Sequence, residues 1–280
     1  LGVPAGSVGF RAHGFSLAPM SDRNLGNTAW SWLPPLVFAA AFLLLWATGT
    51  NESWFYRLNG WSAATGPQLW AGITIFGDAL VLLALALPIL WYRPQWAWAL
   101  LVAAVVTTIA THTLKPWLAL PRPAAVLGAD AITIIGPELR AKAMPSGHAA
   151  AALTLAGALV PAMKGWGPRV AVLLFMTLVA LSRVVVGAHW PMDVMAGALI
   201  GWLSGMISLR LMGDRAWMTN HRAVGILALA FTGCAVALFF FRTGYPGTYG
   251  IQVVVGIVCL GFGVQIARQL SSERQSMTDA

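Results

Sequence analysis

The sequence predicts an all-α fold, a polytopic bundle of transmembrane helices. Three observations lead there. The 280 residues are 58% hydrophobic and only 9% charged, where a soluble domain carries about 25% charged residues. Apolar runs recur along the chain, at lengths near the ~20 residues that a bilayer core about 30 Å thick requires. The period-two alternation of a membrane β-barrel strand is absent from the sequence.

Eight candidate spans follow one another, at 33–48, 69–90, 96–114, 147–163, 169–187, 191–211, 223–241 and 250–267. The first and fourth are short and would extend or tilt. The first six make an expected core at 33–211. A polar break at Gly213-Asp214-Arg215 then opens the C-terminal region 212–280, whose two extra spans carry no motif. Ahead of the core, 1–32 lacks the apolar stretch of a signal peptide and reads as an N-terminal cytoplasmic segment. Met20, followed by Ser-Asp-Arg, reads as a start, with 1–19 as upstream sequence left out of the fold. Cys234 and Cys259 fall in separate apolar runs and read as buried free thiols.

The net charge of +8 does not point to nucleic acid, because no Lys/Arg run or nucleic-acid motif is present. Loop cations instead set the orientation. With the N-terminus inside, Arg11, Arg23, Arg93, Lys164, Arg169, Arg210, Arg215, Arg222, Arg268 and Arg274 are cytoplasmic. Arg57, Lys115, Arg122, Arg140, Lys142, Arg183 and Arg242 are outside. Lys115, Arg122 and Arg183 belong to the cluster described next, and setting them aside strengthens the bias toward an inside N-terminus.

Three segments hold most of the polar chemistry. They are Lys115 to Arg122-Pro123, then Pro145-Ser146-Gly147-His148, then Ser182-Arg183 to His189 and Asp193. Intramembrane charges are costly, which makes such a cluster a functional hypothesis. Odd spans exit and even spans enter at one face, so all three segments meet on one side of the membrane. Ser146 suits an N-cap, and Gly147 lets backbone approach a ligand. The helix start they open is a ready anion site. A guanidinium such as Arg183 matches phosphate oxygens two at a time. Asp193 falls within reach of His189 and would fix its tautomer, freeing the other ring nitrogen to attack. Taken singly, each segment also fits a bland structure: snorkelling cations for Lys115 and Arg122, a capped helix start, an interfacial histidine. Together they supply what phosphoryl transfer needs, positioning plus charge stabilisation.

At these residues the chain closely resembles the type-2 phosphatidic acid phosphatase superfamily. Its pattern of Lys-x6-Arg-Pro, Pro-Ser-Gly-His and Ser-Arg-x5-His-x3-Asp is matched without substitution. The resemblance covers about 33–211 and implies a six-helix bundle with its site at the outer membrane face. It implies His189 as nucleophile, through a phosphohistidine, with Asp193 orienting it. His148 becomes general acid and then base. Lys115, Arg122, Ser146, Gly147 and Arg183 become the phosphate ligands. No metal or cofactor is implied. The two extra C-terminal spans depart from the six-helix pattern, and some sugar-phosphate phosphatases of the superfamily carry such extra spans.

Four further features stand out. Asp78 is expected at the outer end of the second span, where it could line a headgroup pocket. His112 lies one turn before Lys115 and could support it. Gly197, Gly201 and Gly205 recur every four residues, a helix-packing pattern. The stretch 116–145 is the longest internal polar segment and reads as a solvated lid or a headgroup contact. The expected function is a phosphatase of the bacterial inner membrane acting on a lipid phosphomonoester or pyrophosphate at the periplasmic face. Undecaprenyl pyrophosphate leads, followed by phosphatidic acid, phosphatidylglycerol phosphate and lipid A 1-phosphate. The alternatives are a lipid phosphotransferase using the same histidine and a non-catalytic phospholipid transporter or scramblase.

Overall fold

The computed structural model describes Leu17, Pro19 and residues 28–278. Met20 and the rest of 1–27 lie outside the described residues. The helices, in order, are α1 (Ala29–Thr48), α2 (Asn51–Asn59), α3 (Trp61–Thr65), α4 (Pro67–Thr74), α5 (Ala79–Ala84), α6 (Ala86–Tyr92) and α7 (Pro94–Leu118). They continue with α8 (Pro123–Val126), α9 (Gly147–Leu159), α10 (Trp166–Val185), α11 (Pro191–Met212), α12 (His221–Ala237) and α13 (Tyr249–Thr278). No strand forms among the described residues. A lone antiparallel bridge joins Leu17 to Met163, and Leu17 is buried beside Trp96, Leu100 and Leu159.

Helices α1, α7, α10, α11 and α13 are long and apolar enough to cross a membrane. The expected second span differs. It is two segments, Pro67–Gly77 and Ala79–Tyr92, bent by 59°. The bend lies at a close contact. A Cβ on Gly77 would lie 3.0 Å from His148 Cβ and 3.1 Å from Val179 Cγ1, so only glycine fits there. Asp78 restarts the helix, its Oδ1 accepting from Leu80 N at 2.8 Å, an N-cap of the usual kind. The eight-span reading assigned no element to 49–68, where α2 and α3 form.

Helix α9 has 13 residues, about 20 Å at 1.5 Å per residue, less than a bilayer core. It survives because it is central. Packed by α7, α10 and α11, it ends in a buried turn whose carbonyls are met by Arg169. Nε donates to Met163 O at 2.8 Å and Nη2 to Pro161 O at 3.4 Å. Irregular backbone at membrane depth is tolerated when protein covers it.

Small residues set the contact of α9 with α11. A Cβ on Gly201 would overlap the Ala150 carbonyl and sit 2.9 Å from Thr154 N. One on Gly205 would meet Ala158 N at 2.6 Å, and one on Gly157 would meet Trp202 Cα at 2.7 Å. The two backbones therefore touch, as small-xxx-small helix pairs do. Two main cores flank this seam. One joins α1, α2, α9, α10 and α11 around Phe38, Phe55, Leu153 and Trp202. The other packs α12 and α13 against α5 and α6 through Leu87, Leu227, Phe231 and Ile266. Cys259 is buried in the second core, and Cys234 is half-buried; both are free.

Candidate active site

The α9–α11 seam brings two helix starts side by side. Ser146 N donates to Asp193 O at 2.9 Å, and Ser146 Oγ accepts from Ala149 N at 3.5 Å. Pro191 opens α11, where its missing N–H costs nothing. Asp193 Oδ2 accepts from Trp190 N at 2.9 Å, and Asn51 Oδ1 accepts from Met192 N at 3.0 Å. Two of the free donors at this helix start are thus satisfied by side chains.

A tight turn delivers His189 to that helix start. Gly187 adopts φ 76, a region that costs glycine nothing, and a Cβ there would collide with Thr133 O. His189 N then donates to Arg183 O at 3.1 Å. The ring lies between a carboxylate and a guanidinium: Nδ1 is 3.3 Å from Asp193 Oδ2, and Nε2 is 3.2 Å from Arg122 Nη1. Arginine can only donate, so Nε2 carries a lone pair and Nδ1 the proton. Burial first, then Arg122, Arg183 and Lys115, pushes His189 well below its ordinary pKa and keeps it neutral. A neutral imidazole with its proton on Nδ1 keeps a lone pair on Nε2, the form in which histidine can act as a nucleophile.

The cations converge from three directions. Arg122 is 7% exposed and Arg183 2%. Arg122 is fixed by carbonyls, Nε donating to Ala141 O at 2.8 Å and Nη1 to Ala188 O at 3.0 Å. Arg183 Nη1 donates to Thr74 Oγ1 at 2.8 Å and to the Tyr245 hydroxyl. Lys115 comes from the last turn of α7, with Nζ 3.6 Å from where a Gly147 Cβ would stand. His148, the second residue of α9, shares a cavity with Lys115, Gly147, Asp78 and His112.

The structure thus gathers all eight motif residues at one end of the bundle. His112 and Asp78 stand apart from that network. His112 is exposed, its Nδ1 3.0 Å from Thr108 O, and Asp78 caps α5. Both line the cavity, yet neither hydrogen-bonds a motif residue among the described residues. The polar stretch 116–145 is tied down. Asn59 Nδ2 donates to Thr133 O at 2.8 Å and Val185 O at 3.0 Å, and Asn59 Oδ1 accepts from Thr133 N at 2.9 Å. Ala143 N donates to Leu120 O at 2.9 Å. Asn51, Asn59, Thr74 and Tyr245 were missed in the sequence reading. Asn51 and Asn59 carry a weak signal, polar residues in a short amphipathic stretch. Thr74 and Tyr245 carry none.

The cavity has a volume of about 340 Å³ and lies between α5, α7, α9 and α12. Lys115 and His148 line one end, and Leu100, Leu101, Leu155 and Phe231 line the other. From Lys115 to Leu100 is fifteen residues of α7, about 22 Å at helical rise. Ala79, Thr108 and His112 line it and are themselves exposed, so it opens sideways between α5 and α7.

Residues 96–217, which include all eight motif positions, match the PAP2 superfamily. Over 77 residues the chain is 36% identical to a lipid A 4'-phosphatase of Helicobacter pylori. That match covers 28% of this chain and 38% of the relative, so the chain spans well under half of that protein's length. The crystal structure of Aquifex aeolicus LpxE superposes with a TM-score of 0.53 at 28% identity, covering 57% of this chain and 94% of that one. Helices α12 and α13 lie beyond the PAP2 match.

Proposed function

We propose that this protein is an integral-membrane lipid phosphatase that works through a phosphohistidine on His189. The observation that carries the reading is the buried His189 ring, held by Asp193 on one nitrogen and facing Arg122 with the other. Lys115, Arg122, Arg183 and the backbone N–H groups at the start of α9 hold the phosphoryl oxygens. The Nε2 lone pair attacks phosphorus, and the bond from phosphorus to the lipid oxygen breaks. His148 gives that oxygen a proton, then takes one from water. The water oxygen bonds to phosphorus, the N–P bond breaks, and inorganic phosphate leaves with His189 restored.

The sideways-opening cavity supports a lipid substrate, because a chain can slide in from the bilayer while its phosphate reaches the cations. The name of the Helicobacter pylori relative brings a phosphate ester of lipid A forward, ahead of undecaprenyl pyrophosphate. Phosphatidic acid and phosphatidylglycerol phosphate follow. The loop cations favour an orientation with the site outside.

The test is phosphate release by purified protein from these lipids, beside His189→Ala. The variant should lose at least about 10³-fold in rate, as loss of a nucleophile does. Labelled lipid phosphate should leave acid-labile label on the wild type and none on the variant. Release undiminished in His189→Ala would refute the nucleophile. Label passed to a second lipid would indicate phosphotransfer.

A further inference from the structure

Arg183 has its orientation set from outside the motif cluster. A guanidinium carries five N–H donors in a rigid planar fork. Nη1 gives its two to Thr74 Oγ1 and the Tyr245 hydroxyl. Nε is buried with no partner among the described residues, and Nη2 makes no bond to a described side chain or carbonyl. The Nε–Nη2 edge is therefore the one offered to a ligand. That edge meets two oxygens of a phosphate side by side, the strong bidentate geometry. An unsatisfied buried donor is costly, and an arriving oxyanion would relieve that cost.

Tyr245 is itself held firmly. Its ring lies 5.5 Å from the guanidinium carbon, within cation–π range. The ring also packs on Gly136, where a Cβ would come within 2.6 Å of it. Gly136 has φ 92, so both its conformation and the contact exclude a side chain. Thr248 Oγ1 donates to Tyr245 O at 2.8 Å, fixing the backbone between α12 and α13. This segment lies beyond the PAP2 match.

We propose that Tyr245 is a positioning residue: with Thr74 it occupies Nη1 of Arg183 and turns the Nε–Nη2 edge toward the phosphoryl group. The C-terminal helix pair thereby completes the phosphate site instead of only widening the bundle. The proposal rests on the phosphatase reading for its catalytic consequence, but its anion-binding consequence is independent of turnover.

The test uses Tyr245→Phe, which removes the hydroxyl and keeps the ring. Wild type, Tyr245→Phe, Arg183→Lys and the double variant are compared in the full chain. Three quantities are read: kcat, KM, and orthovanadate affinity by calorimetry, vanadate being a five-coordinate mimic of phosphate in transfer. Tyr245→Phe should lower kcat and vanadate affinity about tenfold, the scale of one bond to a charged group, with KM within about twofold. The double variant should be no worse than Arg183→Lys alone, because the hydroxyl then has nothing to position. Thr74→Val should reproduce the effect through the other acceptor. Wild-type kcat and vanadate affinity in Tyr245→Phe, or additive losses in the double variant, would overturn the proposal. If no lipid is turned over by the wild type, the phosphatase reading fails, and the vanadate affinities alone still decide the role of Tyr245.

Discussion

Asp193→Asn isolates the charge behind His189. The side chain keeps its shape, and an amide oxygen in place of Oδ2 still accepts from Trp190 N and from His189 Nδ1. The negative charge is lost, and Oδ1 gives way to an amide nitrogen that donates. As Nε2 bonds to phosphorus, the ring becomes cationic, and the carboxylate 3.3 Å from Nδ1 stabilises that charge. At an effective dielectric of about 20, 332/(20 × 3.3) gives about 5 kcal/mol. The retained hydrogen bond returns about 1 kcal/mol of this. The net loss of about 4 kcal/mol corresponds to about 10³-fold in phosphoenzyme formation. Rapid-quench single turnover with labelled lipid reads that step directly, separately from product release. The thermal midpoint should stay near wild type, because no buried donor at the start of α11 loses its acceptor. A single-turnover rate within tenfold of wild type would refute the electrostatic role of Asp193.

Two further outcomes test the scaffold and the nucleophile. Gly201→Ala drives a methyl into Ala150 O and Thr154 N on α9, backbone atoms with no rotamer to change; despite the better helix propensity of alanine, overpacking should cost about 1–3 kcal/mol. Thermal unfolding in detergent checks this, and an unchanged midpoint would contradict the backbone contact. His189 is held well below its ordinary pKa by burial and then by Arg122, so its neutral form persists to low pH, and the acid limb of kcat/KM should lie below pH 6.5. Arg122→Gln removes the nearest cation, so the His189 pKa should rise and the limb move to higher pH. The substrate titrates identically for both proteins, so coincident limbs would assign the titration to another group.

The division between what could be read from the sequence and what could not follows from how each contact is encoded. Lys115, Arg122, His148, Arg183, His189 and Asp193 were legible because they sit at the ends of apolar runs. The alternation of spans across a membrane then leaves them one face on which to meet. The spacing of His189 and Asp193 is local, so their pairing at 3.3 Å could be anticipated. Thr74, Tyr245 and Asn59 were not legible, because each meets its partner at a sequence separation of 62 residues or more, and no period or motif marks them. The break at Gly77–Asp78 was hidden for a related reason. It lies where His148 packs on Gly77, a distant contact, and apolar composition alone reads 69–90 as continuous. The glycines of α11 join the two kinds of information. Their spacing of four was readable as helix packing, yet its consequence is chemical. Gly197 stands against the Ser146 carbonyl, so the seam that packs α11 on α9 also sets how close the helix start that offers N–H groups stands to the one that carries His189 and Asp193. A residue with a side chain at Gly197 or Gly201 would widen that distance. Under the proposed mechanism, the phosphate would then lose either its amide donors or its nucleophile, even with every motif residue still in place.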